Sequence, residues 1–544
     1  MAGGSVTESG SGFMADSGWL VRYRSTAYLL ANAAVLLAAL VRAGTDDMPF
    51  GVAVYVFALF ALCSAPLLLL KRLNGRYALL AIFMAVYFLF FGALDLQTVF
   101  LGPDVTVLRP PRGSELLTSA ELAILVGATA VLVGYLAGNR WGDPGERQPV
   151  LAEWPASTLL IVGIAIWLLG TLALVYFEVF VIPTKLGSDA ARGQAGVSPL
   201  ATFMLMLGHM MQPVGILILA YGYSKYAGIL WYPLILAVVV LQVAVGFVMD
   251  IKMQAMMGGV LVIMARTLVT NRLPKGWIAG GLVFLVIAFP IFQAYRAEVT
   301  GERGLNREQA LRQLDKVIDI VLASREKVTV GHERAETFLE RASSKNNLEI
   351  LFAHVGYDVP LLHGRSLVAI PMAFVPRLLV PDKEDISVGM LFGKQILKAD
   401  SGVYISISHL GELYWNFGWA GVVFGMFGFG ILLGFVGART DLERGVSLTR
   451  VLVLLATVQP LCLGFGGTMP ISYLLWMRGM AAIGLMHLVF ARRKAPATDA
   501  PARESATERP APQSVQSGMQ PSGSYVGTPL ALPAPVPRFP NLLR

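Results

Sequence analysis

The chain has 544 residues, of which 55% are hydrophobic and 14% are charged, and its formal net charge is +8. Soluble globular proteins contain roughly 45–50% apolar and about 25% charged residues, so this excess of apolar surface indicates contact with lipid. The composition excludes a soluble enzyme and a disordered chain. The chain has two cysteines, Cys63 and Cys462, and this number excludes a disulfide scaffold.

Hydrophobic segments recur along the whole chain. A hydrocarbon core about 30 Å thick requires about 20 apolar residues per helix, and the sequence offers about twelve such segments. They lie near 26–42, 49–70, 77–96, 118–138, 157–182, 200–223, 228–249, 253–270, 276–293, 413–437, 448–467 and 471–491. The sequence therefore predicts an all-α polytopic membrane protein. The first twenty residues are rich in Gly and Ser and contain no basic n-region, so we expect the first span to be an uncleaved signal-anchor.

Basic residues give these spans an orientation. Lys and Arg are concentrated in alternate connections, for example at 71–72 and 492–494, and the intervening short connections contain few of them. In membrane proteins this excess marks the cytoplasmic side. We therefore expect both termini in the cytoplasm, and we attribute the positive net charge to topology rather than to a nucleic-acid partner.

The predicted organisation has five parts. A flexible cytoplasmic N-terminus (1–25) precedes transmembrane helices 1–9 (26–293). A large outer loop (294–409) separates these helices from transmembrane helices 10–12 (410–491). The remaining Pro- and Ala-rich residues (492–544) predict a disordered cytoplasmic tail. Loops as long as the outer loop are usually functional.

The outer loop is expected to be helical. Apolar residues recur at helical spacing over 311–321, which predicts an amphipathic helix, and a charged helix is expected over 332–342. The segment 359–383 is apolar but contains four prolines, which favours a re-entrant or interfacial segment. A loop that simply caps the bundle is the alternative. We expect Lys345, within this loop, to be reachable from outside.

The sequence lacks the common motifs of metal, nucleotide and serine chemistry. GxxxxGK[ST], HExxH, GxSxG, Asp-x-Asp and zinc-spaced Cys/His clusters do not occur in it. We therefore expect no metal and no cofactor, and no ATP-driven transport by this chain alone.

Basic residues lie where the outer loop is expected to meet the membrane. Arginine donates bidentate hydrogen bonds to phosphate and stays charged when partly desolvated, so several together suit an anionic group such as a diphosphate. Each one singly also fits a surface or snorkelling position. The residues are Arg296, Arg341, Arg377 and Lys383. Arg478, inside the last span, is a further candidate phosphate ligand.

The tenth predicted span opens with a polar face. His409, Glu412 and Asn416 are spaced i, i+3 and i+7 and share one side of a helix. A carboxylate and an imidazole one turn apart at the outer mouth of a bundle suit general-base catalysis. The alternative is an aromatic belt at the headgroup level, formed by the Tyr and Trp residues of 414–419.

These features resemble the bacterial oligosaccharide repeat-unit polymerases of the Wzy type. The resemblance rests on the large outer loop before the tenth span, on Tyr295-Arg296 at its start, and on a Pro-Arg…Pro-Asp-Lys stretch that ends at Lys383. Gly-Glu-Leu-Tyr-Trp-Asn-Phe-Gly-Trp-Ala-Gly follows at 411–421. The resemblance is detailed over about 250–437, and it departs at Glu384, where family members often have proline.

The resemblance implies a GT-C-like membrane glycosyltransferase in the bacterial inner membrane. Such an enzyme polymerises undecaprenyl-diphosphate-linked repeat units on the periplasmic side and requires no metal or cofactor. Its partners would be the lipid-linked glycan donor and acceptor, the lipid bilayer and a chain-length regulator, with no nucleic acid.

Residue roles follow from the same resemblance. The basic residues would bind the donor diphosphate and stabilise charge on the leaving group: Arg296, Arg341, Arg377 and Lys383, together with Arg478. Glu412, with His409, would remove the proton from the attacking sugar hydroxyl. Tyr295, Tyr414 and Asn416 would contact the glycan.

Two other functions stay open at this point. An O-antigen ligase performs the same chemistry on a lipid A-core acceptor and also has twelve spans and a large outer loop. A transporter or flippase of lipid-linked polysaccharide would show paired broken helices and internal repeats. Neither is apparent in the sequence, and the polar residues gather at the predicted outer face.

Overall fold

A computed structural model describes residues 23–45, 48–101, 116–143, 153–176, 199–226, 228–248, 252–284, 343–374, 388–398 and 405–490. Within these ranges the chain is helical and contains no strand. Among the described residues, seven helices are long and apolar enough to cross a membrane, and an eighth span results if one bent helix pair is counted as a unit. The chain is therefore a helical membrane protein, and the twelve-span topology stays a prediction.

The first part of the chain forms ten labelled helices. They are α1 (Arg24–Gly44), α2 (Phe50–Ser64), α3 (Pro66–Leu69), α4 (Ala78–Phe91), α5 (Ala93–Leu101), α6 (Ser119–Trp141), α7 (Ala156–Tyr176), α8 (Pro199–Tyr226), α9 (Trp231–Val248) and α10 (Lys252–Thr270). Residues 275–284 are also helical.

The outer-loop region and the C-terminal spans follow. The α-helices are α11 (Lys345–His354), α12 (Arg365–Phe374), α13 (Val388–Leu391), α14 (Ser408–Phe417), α15 (Met426–Arg439), α16 (Leu448–Thr457) and α17 (Met469–Phe490). Three π-helical turns lie among them, at Phe392–Ile396, Gly421–Gly425 and Val458–Cys462. Short 3₁₀ turns cover Leu442–Arg444 and Leu463–Gly466. The helices expected over 311–321 and 332–342, and the predicted tail, lie outside the described residues.

The third predicted span is not one straight helix. Its two halves, α4 and α5, meet at Gly92 with a bend of 66°. A Cβ at this glycine would lie 2.6 Å from the Phe88 side chain and 2.9 Å from that of Leu59. The hydropathy of 77–96 could not show this bend, because it depends on the close approach of neighbouring side chains.

The tenth predicted span also differs from expectation. The polar face of His409, Glu412 and Asn416 lies on α14, a separate ten-residue helix. Gly418 ends α14 with a φ of 59°, a left-handed conformation that glycine adopts without a steric penalty. The apolar stretch that can cross the membrane is Gly421–Arg444. The candidate residues therefore precede the span rather than open it.

Glycines bring α6 and α15 into backbone contact. Gly134 and Gly138 on α6 face Gly430 and Gly434 on α15. A Cβ on any of the four would lie 2.1–2.4 Å from a carbonyl oxygen of the other helix. Small residues four apart let membrane helices approach closely, where van der Waals contact replaces the missing hydrophobic driving force. The N-terminal end of α15 follows α14 in the chain, and the N-terminal end of α6 contacts Lys345 of the outer loop through Glu121.

We predict that Gly434→Ala destabilises the protein while Gly428→Ala does not. The new methyl at 434 would lie 2.2 Å from the Tyr135 carbonyl oxygen, whereas no atom lies within 4 Å of the Cβ position at 428 on the same helix. Overpacking of this kind costs about 1–3 kcal/mol. Thermal unfolding of the detergent-purified variants measures the difference. Equal melting temperatures for the two variants would contradict this packing.

A buried lysine ties the outer loop to the bundle. The Lys345 ammonium at the start of α11 lies 2.7 Å from Asp95 Oδ2 on α5 and 2.8 Å from Glu121 Oε1 on α6. It also sits 4.4 Å from the centre of the Tyr55 ring on α2. The expectation that Lys345 is reachable from outside is therefore wrong, because its side chain is buried among charges that come from distant parts of the sequence.

The carboxylates keep this lysine charged. Burial alone would lower the pKa of Lys345, but the Asp95 and Glu121 carboxylates outweigh it and raise that pKa above its ordinary value. A buried ammonium that is paired in this way stabilises two carboxylates which would otherwise be desolvated without compensation.

We predict that Lys345→Met strongly destabilises the folded protein. Removing one partner of a buried ion pair costs about 3–5 kcal/mol, because the remaining charges stay buried. Lys394→Met is the matched control, since that lysine is exposed in the same loop and should change stability by less than about 0.5 kcal/mol. Thermal unfolding in detergent compares the two variants. A normal melting temperature for Lys345→Met would show that the network contributes nothing.

The membrane topology can be tested by cysteine labelling at residues that are exposed in the structure. Tyr357, in the turn after α11, is 86% exposed, and Lys71, between the second and third predicted spans, is also exposed. Both native cysteines are buried. A membrane-impermeant maleimide should label Tyr357→Cys in intact cells and Lys71→Cys only after permeabilisation. Labelling of both in intact cells, or the reverse pattern, would overturn the predicted orientation.

Candidate functional site

Glu412 forms the centre of a buried polar cluster. Its carboxylate is fully buried on α14. The Ser366 hydroxyl on α12 donates to Oε1 at 2.7 Å, and the Met469 backbone N–H donates to Oε2 at 2.8 Å. The carboxylate thus joins an outer-loop helix to the first residue of the last span.

Asn416 extends this cluster by one turn of α14. Its side-chain Nδ2 donates to Ser366 Oγ at 2.8 Å and to the Glu412 backbone oxygen at 2.7 Å. A hydroxyl has one proton, so Ser366 accepts from Asn416 and donates to Glu412. The three side chains therefore form a hydrogen-bonded chain with a defined direction.

The loop before α12 holds α14 in place. The last carbonyls of a helix have no partner within the helix. Here the Trp415 carbonyl accepts from the Leu362 N–H at 2.9 Å, and the Asn416 carbonyl accepts from the His363 N–H at 3.1 Å. His363 and Gly364 have φ values of 48° and 83°, which reverse the chain and bring Ser366 over α14.

The N-terminus of the last span, α17, donates a hydrogen bond to the Glu412 carboxylate. The first N–H groups of a helix have no partner within the helix, and the helix dipole places partial positive charge there. Glu412 accepts from the first residue of α17, Met469, so it serves this helix as a cap from a distant part of the chain. A 3₁₀ turn over Leu463–Gly466 and the residues after it replace the regular helix before this point.

Opposing effects act on the Glu412 carboxyl. Burial raises its pKa, and the hydrogen bonds from Ser366 and the Met469 N–H lower it without cancelling the rise. Among the described residues no Lys or Arg forms an ion pair with it. Within the described part of the chain, this buried carboxylate is therefore compensated by hydrogen bonds and a helix dipole rather than by a countercharge.

His409 lies on the same helix but is not hydrogen-bonded to Glu412. Its ring packs against Phe429, Phe465 and Tyr473, with centroid distances of 5.8, 5.0 and 6.2 Å. Neither ring nitrogen has a hydrogen-bond partner among the described residues. Burial lowers the pKa of His409, so the imidazole is neutral. The expected pairing of His409 with Glu412 as one base is not formed in this structure.

The aromatic residues after Glu412 separate into two groups. Trp415 is fully buried and its Nε1 donates to the Pro360 carbonyl at 3.2 Å, so it does not belong to an interfacial belt. Tyr414 stacks on Phe352 of α11 with centroids 3.6 Å apart. Trp419 is 40% exposed and fits the headgroup level. Tyr414 therefore anchors α11 and is not part of the Glu412 cluster.

The predicted diphosphate ligands stay largely untested by the structure. Arg478 is half-buried within α17, nine residues after Met469, which places it roughly 13.5 Å along the helix from the Glu412 contact. The other basic candidates and one predicted glycan contact lie outside the described residues: Arg296, Arg341, Arg377, Lys383 and Tyr295.

Two members of the site were missed by sequence reasoning. Ser366 lies 46 residues before Glu412, and the Met469 N–H lies 57 residues after it. No periodicity relates positions so far apart, and a backbone N–H has no side-chain signature. The single local signal is the Gly364 turn, which marks the start of a new helix directly before Ser366.

The described part of the chain holds no cluster of three or more metal-ligating side chains. No protein-family model, curated protein or solved structure matches the chain. The fold alone therefore defines its class. The chain is a helical membrane protein with several candidate spans and a buried polar cluster around Glu412.

Proposed function

We propose that the protein is a membrane glycosyltransferase that polymerises undecaprenyl-diphosphate-linked oligosaccharide repeat units at the periplasmic face of the bacterial inner membrane. The helical membrane fold supports this proposal, because the lipid-linked substrates lie in the bilayer. The resemblance over about 250–437 supports the reaction class. In this proposal both termini are cytoplasmic, and a chain-length regulator is a partner.

The observation that carries the proposal is the unused hydrogen-bonding capacity on the buried face of α14. From the described residues, Glu412 accepts one hydrogen bond on each oxygen, whereas a carboxylate has about four acceptor positions. Asn416 Oδ1 and both His409 nitrogens are buried without a partner among the described residues. Buried polar groups are nearly always satisfied, and exceptions concentrate at functional sites. Hydroxyl-rich glycans supply the donors and acceptors that this face lacks.

The proposed reaction is a direct displacement at the anomeric carbon of the donor. The acceptor hydroxyl oxygen forms the new glycosidic bond, the bond to the diphosphate oxygen breaks, and Glu412 takes the hydroxyl proton. The diphosphate leaves with its negative charge, which Arg296, Arg341, Arg377, Lys383 and Arg478 would stabilise. His409 and Asn416 would hydrogen-bond the sugar, and Tyr295 and Tyr414 would contact it. No metal or cofactor takes part.

Substrate access requires movement in this scheme. Glu412 is covered by α12, the helix that carries Ser366. The acceptor hydroxyl would reach the carboxylate when the part of α12 after Ser366 shifts, with the hydrogen bond from Ser366 to Glu412 kept. Such a shift is compatible with the construction of the site, since α12 is a short helix with Pro371 inside it.

We predict that Glu412→Gln abolishes elongation. Glutamine keeps the size of the side chain and one oxygen acceptor but cannot take a proton, and general-base catalysis contributes about 10²–10⁴ in rate. The test complements a deletion strain of the native host with each variant and measures the glycan ladder on gels. Purified protein with lipid-linked repeat units then gives the rate.

Glu443→Gln is the matched control, because Glu443 is exposed in the connection after α15. The wild type and this control should restore long glycans, whereas Glu412→Gln should leave a single repeat unit, at a normal protein level and melting temperature. Near-normal elongation by Glu412→Gln would refute its role as the base. A deletion strain whose acceptor carries no repeat at all would indicate a ligase, and repeat units trapped on the cytoplasmic side would indicate a flippase.

A further inference from the structure

We infer that Ser366 is the positioning residue for Glu412, a role that the sequence pattern would assign to His409. The inference concerns the geometry of the carboxylate, and its kinetic consequence rests on the proposed function. Ser366 is fully buried and lies 2.7 Å from Glu412 Oε1.

The direction of the hydrogen bonds supports this role. Asn416 Nδ2 can only donate, so it occupies an acceptor position of the Ser366 oxygen. The one hydroxyl proton of Ser366 then points at Glu412 Oε1. Because Asn416 also donates to the Glu412 backbone oxygen, its amide is held by the same helix turn. The serine hydroxyl thus has a single orientation, set by a residue one turn along α14.

The second oxygen of the carboxylate is fixed independently. The Met469 N–H holds Oε2 from the end of α17. With Oε1 and Oε2 each bound to a different segment, the carboxylate plane cannot rotate. As far as the described residues go, each oxygen keeps one further acceptor position at a defined place, which is what a positioned base requires.

His409 cannot supply this orientation in the structure. Its neighbours are the rings of Phe429, Phe465 and Tyr473, and its nitrogens have no partner among the described residues. Among the described residues, Tyr473 from α17 is a titratable group that interacts electrostatically with Glu412, and α14 itself also carries the titratable residues His409 and Tyr414. From α12 the facing group is the Ser366 hydroxyl, which does not titrate in this range.

Removing the serine hydroxyl should therefore raise the proton affinity of Glu412. A hydrogen bond to a charged acceptor favours the charged form, so its loss favours the protonated form. A bond of this kind corresponds to a change of about one to two pH units. The Ser366→Ala variant should need a higher pH before Glu412 ionises. Its rate should fall at acidic pH and recover toward the wild-type value as the pH rises.

Two measurements test this inference on the purified full-length protein. Infrared difference spectroscopy across a pH series follows the carboxyl stretching band of protonated Glu412, which is assigned by its loss in Glu412→Gln. This readout requires no substrate. The pH–rate profile with lipid-linked repeat units then follows the acidic limb of the reaction. Ser366→Cys, with a weak thiol donor of similar size, is a second variant in case Ser366→Ala does not fold.

Ser224→Ala is the matched control, since Ser224 is a buried serine that donates to a backbone carbonyl on α8. We expect Ser366→Ala and Ser366→Cys to move both the infrared titration and the acidic limb upward, with Ser224→Ala unchanged. An unchanged infrared titration in both Ser366 variants would overturn the inference. If the infrared titration moves but the wild-type protein does not elongate lipid-linked repeat units, Ser366 positions Glu412 and the proposed function fails instead.

Discussion

A carboxylate that is buried without a countercharge among the described residues imposes the strictest requirement on the region around α14. Transfer of such a group out of water is costly unless hydrogen bonds or dipoles replace the lost hydration. Glu412 obtains them from the Ser366 hydroxyl and from the N-terminus of α17. The consequence is that α12, α14 and α17 are stable in one mutual arrangement, because separating them would leave the carboxylate unsatisfied.

The buried Lys345 ammonium also needs compensation for its lost hydration, and it obtains this from two carboxylates. The outer loop inserts a cation between Asp95 and Glu121, which come from two separate helices of the bundle. Neither the lysine nor the carboxylates could be buried alone at a tolerable cost. The described part of the outer loop is thus attached at two places. Lys345 forms ion pairs with α5 and α6, and Ser366 forms a hydrogen bond with Glu412 of α14. Apolar packing, such as Phe352 on Tyr414, lies between them.

Irregular backbone is concentrated near these attachments. A membrane-embedded backbone must satisfy its polar groups internally, so departures from the α-helix are tolerated where other protein segments cover them. π-helical turns at Gly421–Gly425 and Val458–Cys462 and the break at Gly418 all lie next to α14 or before α17. π-helical turns often occur at functional sites. Their position agrees with a candidate site around the buried Glu412.

The sequence by itself determined the class of the protein, since the excess of apolar residues and their run lengths depend on composition and local order alone. It also placed His409, Glu412 and Asn416 on one helical face, because helical periodicity is a local property. The bend at Gly92, the separation of α14 from the following span, and the burial of Lys345 came from contacts between distant segments. The same holds for the partner of Glu412. A serine 46 residues away and a backbone N–H 57 residues away are brought to its carboxylate by tertiary folding, and no local pattern encodes that meeting.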